Sequence, residues 1–488
     1  MIDINFGVNI VEIVTKGLYT NSLDIFREYV QNACDSIDDA VKGGTFSQGD
    51  GKIAITIDED NYRITIEDNG TGLSMRDFVR VMSNIGNSDK RRETDRGFRG
   101  IGRLGGLAYC KTLIFTSKIV GEKKVSTLTI DAEKLRKEFF SGKKRLAEHV
   151  LVENMKFGTF NATPDTPAHF FRVEMVDINR TNEDLLNVDK VRDYLSFVAP
   201  VAYSPQFEFR KKIYAHAAEL NARIAEYDIR VNDKPLVKNY MSDIRTARGE
   251  DKIFDVAFQD FYDGNGELIA WMWFGLSEFK GVLSEAKITD SYKMRGIRLR
   301  MGNIQIGDWN VFGYLFKEDR GTKYFIGEVH AVDTDLIPNS RRDYFEENEA
   351  REAFESELKV YFEVLAKLVR HASNIRSAFN ATNKPEEFRQ KIAIHTTEYQ
   401  ETHAAEHEAE LANLKFKAAE NQDFIDKTRH EAEANPDEIT SQVFVQIDAN
   451  FEPLDDTDTG DGNTPPRSGF RRRIGRVRKP SFTMRSTK

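Results

Sequence analysis

Residues 22–41, SLDIFREYVQNACDSIDDAV, carry an apolar stripe at helical spacing, and no other stretch constrains the fold as much. Phe26, Tyr29, Val30 and Ala33 recur at the steps of an α-helix packed on at least one side. Glu28, Asn32 and Asp35 follow the same steps, so they share one helical face. On an exposed helix such a line is an ordinary solvated stripe. At the edge of a core, a carboxylate and a carboxamide together suit a metal ion and an attacking water. Glu28 can take a proton from that water, and Asn32 offers a neutral oxygen to a hard cation such as Mg²⁺.

Two further stretches bear on that choice. A strand expected at 62–67, YRITIE, runs straight into DNGTG, where Asp68 closes the strand and Gly70 and Gly72 free the backbone. A buried carboxylate there can accept from an adenine amino group, with the purine ring against the glycines; an ordinary Asx-glycine turn fits the same letters. Residues 96–110, RGFRGIGRLGGLAYC, place Gly97, Gly100 and Gly102 in a GxxGxG run. Its backbone N–H groups, with a helix N-terminus behind them, can meet phosphate oxygens. The preceding polar stretch, NIGNSDKRRETDR, reads as a lid, and a P-loop signature does not occur in the sequence.

In this order and spacing, ExxxNAxD at 28–35, DNGxG at 68–72 and GxxGxG at 97–102 resemble the Bergerat-fold nucleotide site of the GHKL superfamily, over roughly residues 5–180. That superfamily comprises gyrase B, the HtpG-type heat-shock chaperones, histidine kinases and MutL. The resemblance implies an α+β fold, with helices over a mixed, largely antiparallel sheet, and it implies ATP and Mg²⁺ as ligands. It makes Glu28 the general base, Asn32 the Mg²⁺ ligand and Asp68 the adenine acceptor, with Asp35, Gly70 and Gly72 beside the nucleotide. Gly97, Gly100 and Gly102 become lid hinge and phosphate loop. By the same carry-over Asn84 and Lys90 touch nucleotide. Thr159, in FGTF, stands for the late Thr of a GT pair, although NATPDTPAH interrupts the strand after it. Arg103 departs from the aromatic residue usual after the last lid glycine.

The rest of the chain separates the branches. The site begins too early for a phosphoacceptor helix pair to precede it, which argues against a histidine kinase. RGIRLRMGNIQIGD and FIGEVHAVDTDLIPNSRRDYFEEN resemble the middle segment of the HtpG-type chaperones. There an Arg reaches the γ-phosphate; by register it is Arg342, with Arg341 close behind, and Asn339 matches the accompanying Asn. An arginine stabilises charge on a transferring phosphoryl group. The usual Gln four residues later is Glu346 here. A pair of surface arginines beside Asp343 is the plainer alternative, and MORC-type ATPases share this general plan.

The chain divides into four regions: 1–180 binding ATP, 181–345 as a second α/β, transducer-like block with a strand at 227–231 among its elements, 346–435 helical and coiled-coil-like, with Pro385 starting a new helix, and 436–488 as a disordered acidic-then-basic tail. At roughly 100–200 residues per domain, a chain of this length is expected to hold two to four. The net charge is −9, so no global basic field points to nucleic acid. The last 22 residues carry nine Lys/Arg and no acid, which makes nucleic acid or an acidic partner possible there. Two cysteines, Cys34 and Cys110, form no disulfide framework and read as packing residues. Without a signal peptide at its start or an apolar run of ~20 residues, the chain reads as cytoplasmic with no membrane contact. HAAEH at 403–407 has the spacing of a zinc-peptidase motif, but it lies in a highly charged stretch with no third ligand.

The expected function is therefore an ATPase: a chaperone-like switch or clamp that dimerises with nucleotide bound and serves a client or partner protein. The alternatives are a MORC- or MutL-like clamp on DNA and a nucleotide-gated scaffold with negligible hydrolysis.

Overall fold

In the computed structural model, the residues described are 21–47, 49–84, 102–139, 147–283, 290–318 and 320–454. Contacts divide the chain into two compact units. One holds the described residues up to Ser377 together with Asp426–Asn450, and the other holds Ala378–Ile425 together with residues 451–454.

The first unit opens with helix α1 (Asp24–Lys42), which buries Phe26, Tyr29, Val30 and Ala33 as its spacing predicts. It packs on strands β1 (Lys52–Asp58) and β2 (Arg63–Asp68). Their alternation turns Ile53, Ile55 and Ile57, and Ile64 and Ile66, to the core. Helix α2 (Met75–Ser83) starts at Ser74, whose hydroxyl accepts from the Asp77 N–H at 3.1 Å. Then come β3 (Cys110–Lys118), β4 (Lys124–Asp131), the short helices α3 (Ala132–Phe139) and α4 (Ala147–Asn154), β5 (Met155–Asn161) and β6 (Phe170–Ile178). After helices α5 (Val188–Val198) and α6 (Arg210–Glu219) the chain returns with β7 (Asp228–Val231) and β8 (Lys234–Pro235). The eight strands form one sheet in the order β5-β4-β3-β6-β2-β1-β7-β8.

The strand expected at 227–231 does not belong to the second block. It pairs instead with β1 of the first sheet, in parallel, Ile53 opposite Ile229 and Ile55 opposite Val231. The sheet therefore crosses the boundary expected at 180. The reason is burial: β7 completes the edge of β1 and places Ile229 and Val231 in the first core.

The hairpin β9 (Asp243–Thr246) with β10 (Gly249–Lys252) is next, then β11 (Asp255–Tyr262), β12 (Leu268–Leu276), the single turn α7 (Asp290–Lys293), β13 (Gly296–Met301), β14 (Ile304–Ile306) and β15 (Ile326–Ala331). The last five strands make a second sheet, β11-β12-β15-β13-β14. Tyr203, Phe207, Tyr240, Trp271 and Trp273 fill its core. At its centre Glu328 is fully buried, with Arg300 Nε at 2.5 Å and Lys238 Nζ at 3.1 Å, and it accepts from the Tyr240 hydroxyl at 2.9 Å.

Helix α8 (Glu349–Ala393) runs for 45 residues straight through Pro385, so a new helix does not begin there. A proline inside a helix removes one hydrogen bond, here that to the Ala381 carbonyl, and the surrounding turns hold the helix together. The helices α9 (Thr397–Thr402) and α10 (Ala404–Ala434) are interrupted at His403, whose ring lies 5.9 Å from that of His407. Helix α11 (Ile439–Asn450) lies within the region expected to be a disordered tail from 436; burial of Val443, Phe444 and Ile447 holds it, and it ends the described helices. Among the described residues no helix is long and apolar enough to cross a membrane. Cys34 and Cys110 are both buried free thiols, and burial pushes the Cys110 thiol up to about 12.

Candidate nucleotide site

Helix α1 and the turn after β2 meet through glycine. A Cβ on Gly70 would lie 2.1 Å from the Ser36 hydroxyl and 2.7 Å from Asp68 Oδ1, so only glycine lets α1 approach this closely. The Thr71 N–H donates to the Ser36 carbonyl at 3.3 Å, and the Gly70 N–H donates to Asp68 Oδ1 at 2.9 Å. Gly72 has φ +66°, and a Cβ there would lie 2.1 Å from the Lys118 carbonyl oxygen. The turn is thereby clamped between α1 and β3, with Asp68 buried at its start.

Along α1, Glu28 and Asp35 are buried and Asn32 is half-buried between them. The Glu28 carboxylate lies among cations. Arg27 Nε is 3.8 Å from its Oε1, and Arg342 Nε, from the second block, is 3.3 Å away. Arg342 itself sits in a tight turn. Its φ is +55°, the Asn339 carbonyl accepts from its N–H at 3.1 Å, and its own carbonyl accepts from Gly307 N–H at 2.8 Å. Asn339 Nδ2 donates to Asp343 at 2.6 Å, and Gly307 leaves no room for a Cβ, which would fall 2.6 Å from the Asp343 carbonyl oxygen. Of the two adjacent arginines, Arg341 is exposed and Arg342 lies against Glu28.

Gly102 opens a 3₁₀ turn, Gly102–Ala108, that buries Leu104 and Leu107. Arg103 reaches back to the carbonyl of Asn84, the residue that ends α2. The Tyr29 hydroxyl donates to the Arg103 carbonyl at 3.0 Å and accepts from the Gly106 N–H at 3.1 Å. Burial lowers the Arg103 guanidinium to about 10. Arg103, which takes the place of the usual aromatic residue, thus ties the start of the 3₁₀ turn to both α1 and the end of α2. Lys90, Gly97 and Gly100 lie outside the described residues.

Thr159 is not brought to this site. It is exposed on β5, opposite Ser126, at the far edge of the sheet, with β4, β3 and β6 between it and β2. The strand beside β2 is β6, and the residue leading into it is His169. Its Nδ1 lies 2.7 Å from the Gly70 carbonyl oxygen, and its ring stacks on Phe46 at 5.8 Å. Residues 162–168 separate the strand of the GT pair from β6, the strand that lies beside β2. Sequence reasoning misses His169, Ser36 and Tyr29; only the adjacency of Tyr29 to Glu28 and of Ser36 to Asp35 could have drawn attention to two of them.

The residues present suit a nucleotide and its cation. Glu28 Oε1 and Gln31 Oε1 are buried oxygens without a hydrogen-bond partner. Gly70 and Gly72 shape a turn that a side chain would fill. Asn32 and Asp35, on the same helix face, are oxygen donors suited to a hard cation.

Comparison with known proteins agrees. Residues 19–159 match the family described as histidine kinase-, DNA gyrase B-, and HSP90-like ATPase. Chaperone protein HtpG of Psychrobacter cryohalolentis is 33% identical over 132 residues, covering 23% of this chain and 20% of that protein. HtpG of Ehrlichia canis is 32% identical over 96 residues (18% and 14%), and HtpG of Rickettsia typhi 26% over 140 residues (25% and 22%). The match thus spans 14–22% of the length of these curated relatives. Residues 19–159 are thus similar to the ATPase domains of the GHKL type, with HtpG chaperones among the proteins they resemble.

Proposed function

We propose that the chain binds ATP with Mg²⁺, hydrolyses it, and works as a chaperone-like switch on a partner protein in the cytoplasm, pairing with a second copy when nucleotide is bound. What carries the reading is Arg342: a residue from the second block reaches the buried carboxylate of α1, with Nε 3.3 Å from Oε1. An acid alone on α1 would suit binding; an acid with an arginine brought to it from another block suits turnover.

Asp68 would accept from the adenine amino group, with Gly70 and Gly72 along the ring and His169 at its side. Asn32 would hold Mg²⁺, with Asp35 beside it. The cation offsets phosphate charge when bound. Asn84, Lys90, Gly97, Gly100, Gly102 and Arg103 would close over the phosphates. Glu28 would orient the attacking water and take its proton. While Arg342 and Arg27 lie against it, the Glu28 carboxylate is occupied by cations and not open to a water. Transfer of Arg342 from the carboxylate to the phosphoryl charge would free Glu28 and stabilise the transition state together. The site would then be silent until nucleotide draws the arginine away.

The test is turnover and binding measured side by side. Glu28→Ala should hold ATP and lose hydrolysis by about a hundredfold to ten-thousandfold, whereas Asp68→Asn should lose ATP binding. Normal turnover by Glu28→Ala would refute the mechanism, and wild-type protein that binds ATP without turnover would leave only a gated scaffold.

A further inference from the structure

Away from the nucleotide site the second block encloses a cavity of about 340 Å³ between α5, the chain before α6, the start of β9 and α7. Four carboxylates line it, Asp193, Glu208, Asp243 and Asp290, against one ammonium, Lys293. Lys293 is already engaged, with Nζ 2.7 Å from Asp193 and 3.2 Å from Asp290. Glu208 and Asp243 have no cationic partner among the described residues. The lining therefore keeps an excess of negative charge that a ligand would have to answer.

Three further features describe that ligand. Ser242, also in the lining, is more than nine-tenths buried, and its hydroxyl has no hydrogen-bond partner, an arrangement that costs stability unless something fills it. Two aromatic rings, Tyr240 and Phe197, close the cavity at 5.5 Å from each other, edge to face. The Tyr240 ring is fixed by its hydroxyl's bond to Glu328 at 2.9 Å, and the Phe197 ring already carries the guanidinium of Arg298 at 4.6 Å. Rings of this kind attract diffuse cations. The carboxylates are spread around the cavity instead of converging: among the described residues, no three His, Cys, Asp or Glu are grouped to hold a metal ion.

We infer that this cavity binds an organic cation, a guanidinium or alkylammonium group carried by a partner polypeptide or by a free polyamine. Its charge meets Glu208 and Asp243, its N–H groups reach the Ser242 hydroxyl, and its stem lies along Tyr240. The site is separate from the nucleotide cleft and stands whether or not the chain hydrolyses ATP.

Calorimetric titration of the full chain tests it with four probes: N-acetyl-arginine amide, an arginine-containing tetrapeptide, spermidine, and N-acetyl-citrulline amide, which has the shape of arginine without its charge. Saturable binding of the cationic probes is expected, weaker by about tenfold or more for citrulline and for the Glu208→Gln/Asp243→Asn double variant, because the exchange removes charge without changing shape. Tighter binding of the peptide identifies a polypeptide source, and tighter binding of spermidine a free polyamine; both support the site. Absence of saturable binding, or equal affinity for citrulline, overturns it without relying on the fold of any variant. ATP turnover of the double variant should equal that of the wild type.

Discussion

The contact between Arg342 and Glu28 can be tested with no nucleotide present. Unit charges 3.3 Å apart attract by about 5 kcal/mol at an effective dielectric of about 20. Both side chains are largely buried, 13% and 8% exposed, so screening removes little of this, but desolvation of each ion opposes it. Arg27, at 3.8 Å, shares the same carboxylate and lowers what Arg342 alone supplies. A net coupling of about 1–3 kcal/mol remains. Replacing Glu28 by Gln and Arg342 by Gln, singly and together, closes a double-mutant cycle, read by urea unfolding. The three tryptophans, Trp271, Trp273 and Trp309, all lie in the second block, so fluorescence follows that block while circular dichroism follows the whole chain. Coupling should appear in both signals, since the pair joins the blocks. Strictly additive single effects, with coupling under about 0.5 kcal/mol, would mean that the arginine does not rest on the acid in solution. The proposed release of Glu28 would then have nothing to release.

Further expectations concern single positions. Gly72→Ala forces a side chain onto φ +66°, 2.1 Å from the Lys118 carbonyl oxygen, and should cost about 2 kcal/mol or more by thermal melting. His169→Ala should weaken ATP binding by about tenfold, the loss of one well-placed polar contact, whereas Thr159→Ala should leave it unchanged; the reverse order would restore the GT threonine to the site. Burial pushes the His330 imidazole down to about 4 from its ordinary 6.5, against Glu328 at 3.1 Å. The unfolded chain then takes up its proton first as pH falls. The contribution of His330 is complete above 6.5 and is lost towards 4, with a slope of about 1.4 kcal/mol per pH unit at most. His330→Phe, which keeps a ring stacked on Trp271, should flatten this part of the acid unfolding curve relative to the wild type.

What the sequence made legible was local. Glu28, Asn32 and Asp35 share a face because a helix has a fixed pitch, and Asp68 meets the glycines because they stand only two and four positions on. Long-range pairing was illegible. DIRV at 228–231 has the letters of a strand, but nothing in them says that it joins β1, more than 170 positions earlier, in preference to the strands after it. His169 was hidden for the same reason: its neighbour Gly70 is 99 positions away, and no motif links them. The distance of Thr159 from the glycine turn was illegible too: its strand lies at the far edge of the sheet, and β6, after residues 162–168, takes the position beside β2. The choice between Arg341 and Arg342 turned on a left-handed backbone at one residue, a feature that side-chain type does not encode.

The strand pairing of β7 has a mechanical corollary. The backbone that leaves the nucleotide sheet after β6 passes through α5 and α6 and is then hydrogen-bonded back onto β1, whose other neighbour, β2, ends at Asp68. A segment paired along β1 acts as a splint, not a tether. Under the proposed function, a swing of the strands that follow would pivot downstream of Pro235 and pull on β1, the neighbour of the strand that ends at Asp68.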